Sequence, residues 1–240
     1  MTTPENSATR TALVTGGSRG LGRALVAALV TRRWRVVIDG RDSQRLAEAV
    51  DALPSPRGVT AVAGNVADIE HRRRLVAAVE ELGGLDLLVN NASVLGPSPQ
   101  PRLAAYPLDQ LERVFAVNTV APLALVQALL PALARRHGRI VNISSDAAVE
   151  AYPGWGGYGA AKAALDQLTA VLAVEHPDLR VYAVDPGDMA TDLQQQAFPG
   201  EDITDRADPA AVVPALLRLV EGDLPSARYR AAALLSEAVA

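Results

Sequence analysis

The 240-residue chain contains no cysteine, which excludes disulfides and thiol catalysis. Its three histidines, His71, His137 and His176, lie far apart in sequence. None belongs to a metal-ligand spacing, so no metal is expected. No excess of positive charge is present: 23 basic residues face 27 acidic ones, and the net charge of −4 gives no electrostatic case for nucleic acid or an anionic membrane. A hydrophobic signal segment is missing from the polar start "MTTPENSATR". The most apolar run, 120–134, carries Gln127 and two prolines and reads as too short to span a bilayer. These absences predict a soluble, cytoplasmic protein with neither nucleic-acid nor membrane partners. Lysine is nearly missing as well. Only Lys162 is present, and every other basic residue is arginine.

What is there is an apolar fraction of 49%, enough for one sizeable core. Short valine-rich runs at 11–15, 35–39, 59–64, 85–90, 138–144 and 179–185 read as strands buried on both faces, with a seventh at 227–235. Between them, 20–32, 43–53, 68–82, 107–136 and 158–175 carry apolar residues at helical spacing. Such alternation predicts an α/β fold, a doubly wound parallel sheet of about seven strands with helices on both faces. Residues 1–10 are expected to be a flexible segment and 11–240 one domain. The run "HRRR" at 71–74 reads as a solvated helix face. Gly138 reads as the glycine that ends the long helix before the fifth strand.

"TGGSRGLG" (15–22) follows the first strand and opens the first helix. Its glycines allow a tight turn and close approach of backbone to a pyrophosphate, and the helix start adds free N–H groups. Gly16, Ser18, Arg19, Gly20, Leu21 and Gly22 are therefore candidate dinucleotide contacts. At the end of the second strand, "VVIDGRD" offers both Asp39 and Arg41. An acid there suits a ribose 2′-hydroxyl, whereas arginine suits a 2′-phosphate. Arg41 together with Arg19 favours NADP(H) over NAD(H). Asn65 and Val66 end the third strand and Asn91 and Ala92 the fourth, where an open α/β sheet binds its ligands.

Tyr158 and Lys162 stand four residues apart on one helix face. A free phenol has a pKa near ~10, and a neighbouring ammonium is expected to lower it toward the working range. Ser145 closes the fifth strand and could donate to a substrate carbonyl. Asn118 is a poor helix former inside an apolar helical run. It could kink the helix and hold a water, or satisfy a core network.

Together "TGGSRGLG", "NNAS" (90–93), Asn118, Ser145 and "YGAAK" (158–162) resemble the classical short-chain dehydrogenase/reductase family from about residue 11 to 192. The resemblance implies a Rossmann-type domain and a catalytic tetrad of Asn118, Ser145, Tyr158 and Lys162, with Tyr158 and Lys162 also contacting the cofactor. It implies that Arg19 and Arg41 hold the NADP-selecting positions, that Pro186 and Gly187 line the nicotinamide, and that Thr191 binds its carboxamide or a phosphate. Hydride transfer is then the reaction. Ser145 polarises the substrate oxygen, Tyr158 exchanges its proton, Lys162 lowers the tyrosine pKa and binds the ribose, and Asn118 positions a relay water. Ser93 departs from the family's glycine, and Asn65 from its aspartate.

The implied activity is an NADP-dependent carbonyl reductase or alcohol dehydrogenase for a small substrate. A silent NADP-binding regulator, or an epimerase or dehydratase using the same tetrad, remain as alternatives. Residues 188–208 are expected to form a substrate lid. Met189, Leu193, Phe198, Val94, Leu95, Tyr152 and Trp155 are candidate pocket walls. A homodimer or homotetramer through helices at about 107–136 and 157–176 is expected from the resemblance.

Overall fold

The computed structural model of the chain describes residues 9–236; most of the segment expected to be flexible, 1–8, and the last four residues of the domain lie outside the described residues. Seven strands form one parallel sheet: β1 (Thr11–Val14), β2 (Arg35–Gly40), β3 (Val59–Ala63), β4 (Leu87–Asn90), β5 (Arg139–Ile143), β6 (Arg180–Asp185) and β7 (Arg228–Arg230). Their order is β3-β2-β1-β4-β5-β6-β7. The helices are α1 (Gly20–Thr31), α2 (Ser43–Asp51), α3 (Ile69–Glu81), α4 (Leu108–Phe115), α5 (Ala121–Ala134), α6 (Gly156–Glu175), α7 (Asp192–Ala197), α8 (Pro209–Glu221) and α9 (Ala231–Ser236). This is the doubly wound, Rossmann-type arrangement that the alternation of elements predicts.

The side-chain period of two divides the core into two layers. Ala12 and Val14 of β1, Leu87 and Val89 of β4, and Tyr182 and Val184 of β6 pack under α1 and α8. Leu13, Leu88 and Val181 point the other way, against α3 and α5. Central strands must satisfy both layers, hence their unbroken apolar runs. Leu13 is fully buried, and its truncation to alanine would cost about 2–5 kcal/mol.

Four details of the fold differ from the sequence reading. β3 lies at the edge of the sheet and none of its five residues is buried, so it is not a strand covered on both faces. The seventh strand is only three residues long, and Ala231–Ser236 continue as α9, with Ala231 and Leu234 in the core. At the end of α5 the left-handed residue is His137 (φ 47°), not Gly138. A Cβ on Gly138 would lie 2.8 Å from the end of the Leu133 side chain and 3.2 Å from the Leu85 and Asp86 carbonyls, so the position is crowded. Residues Leu108–Ala134 form one 27-residue helical rod, long and apolar enough by length and composition to cross a membrane. Half of its most apolar window is buried, and Leu125, Leu129 and Leu133 face the sheet.

Candidate active site

At the carboxyl end of the sheet, β1 lies between β2 and β4, where the chain reverses direction across the sheet. A crevice must open at such a point. A cleft of about 690 Å³ runs from the glycine loop and the start of α2, past the ends of β4 and β5, to α6 and α7. Every predicted site residue lines it except Gly22 and Asn118.

The glycine loop is shaped by sterics. Gly16 (φ 68°) and Gly20 (φ 52°) occupy the left-handed region, which side chains avoid. A Cβ on Gly22 would overlap the Gly16 carbonyl oxygen, so this glycine serves packing behind the loop and does not face the cleft. The Thr15 hydroxyl accepts from the Asn91 and Ala92 amides (both 3.0 Å), and the Asn91 amide group donates to the Thr15 carbonyl at 2.8 Å. The β1 and β4 loops are thereby fixed to one another.

Asp39 is held from within. It is 2% exposed and accepts from the Gly16 amide at 2.6 Å. Its second oxygen lies 3.0 Å from His71 Nε2. His71 is fully buried, and Arg74 donates to its Nδ1 at 3.2 Å and to the Ala63 carbonyl at 3.1 Å. The solvated-face reading of 71–74 is therefore corrected at its first member. His71 shares a helix face with Leu75, Ala78 and Val79, all buried, and that spacing was available in the sequence.

Two arginines converge at the same end of the cleft. Arg19 and Arg45 place their Nη1 atoms 2.6 and 3.3 Å from one oxygen of Asp192, the first residue of α7. Arg41 is exposed beside them and has no ion-pair partner among the described residues. Arg45 escaped the sequence reading, since only the fold brings α2 to α7, 147 residues away.

The other end carries the tetrad residues. Tyr158 is 6% and Lys162 2% exposed, one turn apart in α6. Lys162 Nζ donates to the Ile143 carbonyl at 2.6 Å and lies 5.6 Å from the Tyr158 ring centre. Burial lowers Lys162 to about 8, against a raising effect of the Asp166 carboxylate. Burial also pushes the Tyr158 phenol up to about 12, while hydrogen bonds with the Ser93 and Ser145 hydroxyls pull it down. In the protein alone the tyrosine is therefore raised, opposite to the lowering expected from its lysine neighbour, because desolvation outweighs the two hydroxyl hydrogen bonds that lower it. Ser145 Oγ donates to Asp146 Oδ1 at 2.9 Å, and the Ser145 carbonyl is braced by Arg228 of β7 at 2.9 Å.

Asn118 sits in a π-helical turn, Ala116–Val120, between α4 and α5. The wider turn directs its side chain onto the loop after β4. Oδ1 accepts from the Val94 amide (2.9 Å) and the Ser93 hydroxyl (3.2 Å), and Nδ2 donates to the Val94 carbonyl (2.8 Å). The core-network alternative thus describes its side chain. Ser93, the departure from glycine, lies between Asn118 and Tyr158. Of the expected walls, Val94, Trp155, Met189 and Leu193 line the cleft. Leu95 lies buried behind it, and Tyr152 and Phe198 flank Trp155 at ring distances of 6.5 and 6.2 Å.

The cleft fits a nicotinamide dinucleotide. Gly16 and Gly20 line the cleft in left-handed turns, the start of α1 presents N–H groups, and cations cluster at one end. Gln194 of α7 lines the cleft with its Nε2 buried and without a hydrogen-bond partner, a donor suited to a polar ligand. A family model described as short chain dehydrogenase matches residues 10–202. The chain belongs to the short-chain dehydrogenase family. As a short-chain dehydrogenase it is an oxidoreductase of a family that binds nicotinamide cofactors. The sepiapterin reductase of Mus musculus is 36% identical over 199 residues, covering 77% of this chain and 76% of that protein. The (S)-benzoin-forming benzil reductase of Saccharomyces cerevisiae is 34% identical over 213 residues, 85% and 79% of the two chains. A short chain dehydrogenase from Shigella flexneri, solved in complex with NADP, superposes with a TM-score of 0.85 at 28% identity, covering 93% of this chain and 97% of that one.

Proposed function

We propose that this short-chain dehydrogenase is an NADP(H)-dependent carbonyl reductase acting on a small ketone, with the reverse alcohol oxidation at high pH. The observation that carries the reading is the polarity of the cleft: an arginine cluster at one end and a buried tyrosine–lysine pair at the other. Arg19 and Arg45 already grip an anion, the Asp192 carboxylate. A 2′-phosphate offers the same charge with more acceptor oxygens, and Arg41 adds a third cation. Asp39 is occupied by Gly16 and His71.

NADPH, when bound, supplies the hydride. The remaining work falls to the chain. Pro186, Gly187 and Thr191 line the cleft after β6, Thr191 against Gly20 of the glycine loop, and Asn65 and Val66 line it after β3. Tyr158 stays protonated at neutral pH and can donate to a carbonyl oxygen as negative charge develops there. Ser145 turns its hydroxyl from Asp146 to the same oxygen. Lys162, charged below about pH 8, faces the phenol and stabilises the phenolate left after proton transfer. Asn118 acts by holding Ser93 and Val94, and hence the wall beside the phenol. Val94, Trp155, Met189 and Leu193 give the substrate an apolar wall.

Four of the exposed large apolar residues, Leu108, Val120, Val171 and Val174, lie on α4–α5 and α6. They support a homodimer or homotetramer joined through these helices. The experiment is a panel of ketones, aldehydes and alcohols with both cofactors, following nicotinamide absorbance. NADPH-dependent ketone reduction is expected. Silence across the panel with tight NADPH binding would favour a regulatory role, and preference for NADH would overturn the cofactor assignment.

A further inference from the structure

We propose that Asp146 makes this site selective for ketones that carry a hydroxyl on the carbon next to the carbonyl; this rests on the carbonyl-reductase reading above. Asp146 directly follows Ser145 and lines the cleft. Its Oδ1 accepts from the Ser145 hydroxyl at 2.9 Å and from the Ala147 amide at 2.8 Å. Its Oδ2 accepts from the Tyr152 hydroxyl at 3.1 Å. The carboxylate is close enough to Tyr158 for its charge to act on that phenol. It therefore stands beside the reacting oxygen, with Ser145 as one of its donors.

A serine hydroxyl carries a single hydrogen. It cannot donate to Asp146 and to a substrate carbonyl at once. Each turnover that uses Ser145 thus takes a charge-assisted hydrogen bond away from Asp146, and such bonds are the stronger kind. Tyr152 cannot make up the loss, because its hydroxyl is shared between Asp146 Oδ2 and Glu150 Oε2, the latter at 2.7 Å. Val94, Met189 and Leu193 on the cleft wall have no side-chain donor to offer. A plain ketone therefore leaves Oδ1 one donor short. A ketone with an α-hydroxyl returns it. Its two oxygens sit on adjacent carbons and match the neighbouring Ser145 Oγ and Asp146 Oδ1. The carbonyl accepts from the serine, and the hydroxyl donates to the carboxylate. Replacing one hydroxyl by another adds no cation to a site that already holds the Lys162 ammonium, 5.6 Å from the Tyr158 ring centre. In the reduction the carbonyl carbon gains the hydride of NADPH and its oxygen gains the Tyr158 proton. A vicinal diol and NADP⁺ are formed, and the phenolate recovers its proton from water.

The test measures kcat/KM at saturating NADPH for acetophenone, α-hydroxyacetophenone and α-methoxyacetophenone. Purified wild-type, Asp146→Ala and Asp146→Asn proteins are compared, with melting curves to verify folding. The methoxy ketone keeps the electron-withdrawing α-oxygen but has no hydrogen to donate. Wild type is expected to prefer the hydroxy over the methoxy ketone about tenfold or more, the worth of one hydrogen bond to a charged group. Asp146→Ala is expected to lower that ratio about tenfold, losing rate on the hydroxy ketone and gaining it on acetophenone, because Ser145 is released. A wild type that reduces the hydroxy and methoxy ketones equally, or a ratio that persists in folded Asp146→Ala, overturns the inference while leaving the reductase reading intact. A wild type that binds NADPH and reduces none of the three overturns both. Should Asp146→Ala fail to fold, Asp146→Asn decides: a ratio lowered about threefold or more supports selection by the carboxylate, and an unchanged ratio overturns it.

Discussion

Replacing Lys162 by methionine is expected to stabilise the ligand-free protein while abolishing its turnover. The ammonium is buried, and burial lowers its pKa from 10.5 to about 8. At 1.36 kcal/mol per pH unit, that fall costs the folded state about 3 kcal/mol. Methionine has similar length and no charge, but it forfeits the 2.6 Å hydrogen bond to the Ile143 carbonyl, about 1–2 kcal/mol. The net gain is about 1–2 kcal/mol, or roughly 2–8 °C in melting temperature for a chain of this size. The sign has a pH signature. Below about pH 8 lysine is charged in both folded and unfolded chains, and its cost is complete. Between about 8 and 10.5 the unfolded chain binds more protons than the folded one, so wild-type stability rises with pH relative to the variant. Thermal melts of both proteins from pH 7 to 10.5, without cofactor, therefore converge as pH rises and then cross, because the hydrogen bond to Ile143 remains when the desolvation cost has gone. A variant less stable than wild type at pH 7, or a gap independent of pH, would refute the reasoning.

Asp192→Asn removes the internal anion with which a 2′-phosphate must compete for Arg19 and Arg45. Because both pairs are exposed, NADPH is expected to bind only about two- to fivefold more tightly, with NADH nearly unchanged and the difference fading at high salt; calorimetric titration at two ionic strengths checks this. Asn118→Ala strips the Val94 amide and carbonyl of their partners, so a loss of about 2–3 kcal/mol and a melting point lower by about 4–12 °C are expected, with NADPH affinity changed less than turnover.

The fold and the grouping of the candidate site residues were legible because their signals are local. Strand runs alternate with helical periods, the glycines sit between a strand and a helix, and Tyr158 and Lys162 are one turn apart. What escaped depends on contacts across the fold. Arg45 joins Arg19 only through Asp192, and Ser93 reaches Asn118 only because a π turn aims that side chain at the loop. Asp39 and Arg41 gave opposite signals for the cofactor, and nothing near them in sequence reveals that His71 on α3 engages the Asp39 carboxylate. The alanine-rich end of the chain has no clear period, so its switch from strand to helix after Arg230 was not readable.

Tyr158→Phe tests the central claim most directly, because it deletes one oxygen and leaves the ring packed against Trp155 at 5.7 Å. With a ketone that the wild type reduces, kcat is expected to fall about 10²–10⁴-fold, while NADPH binding stays within a few-fold. Turnover within about threefold of wild type would contradict the assignment of the proton to this phenol.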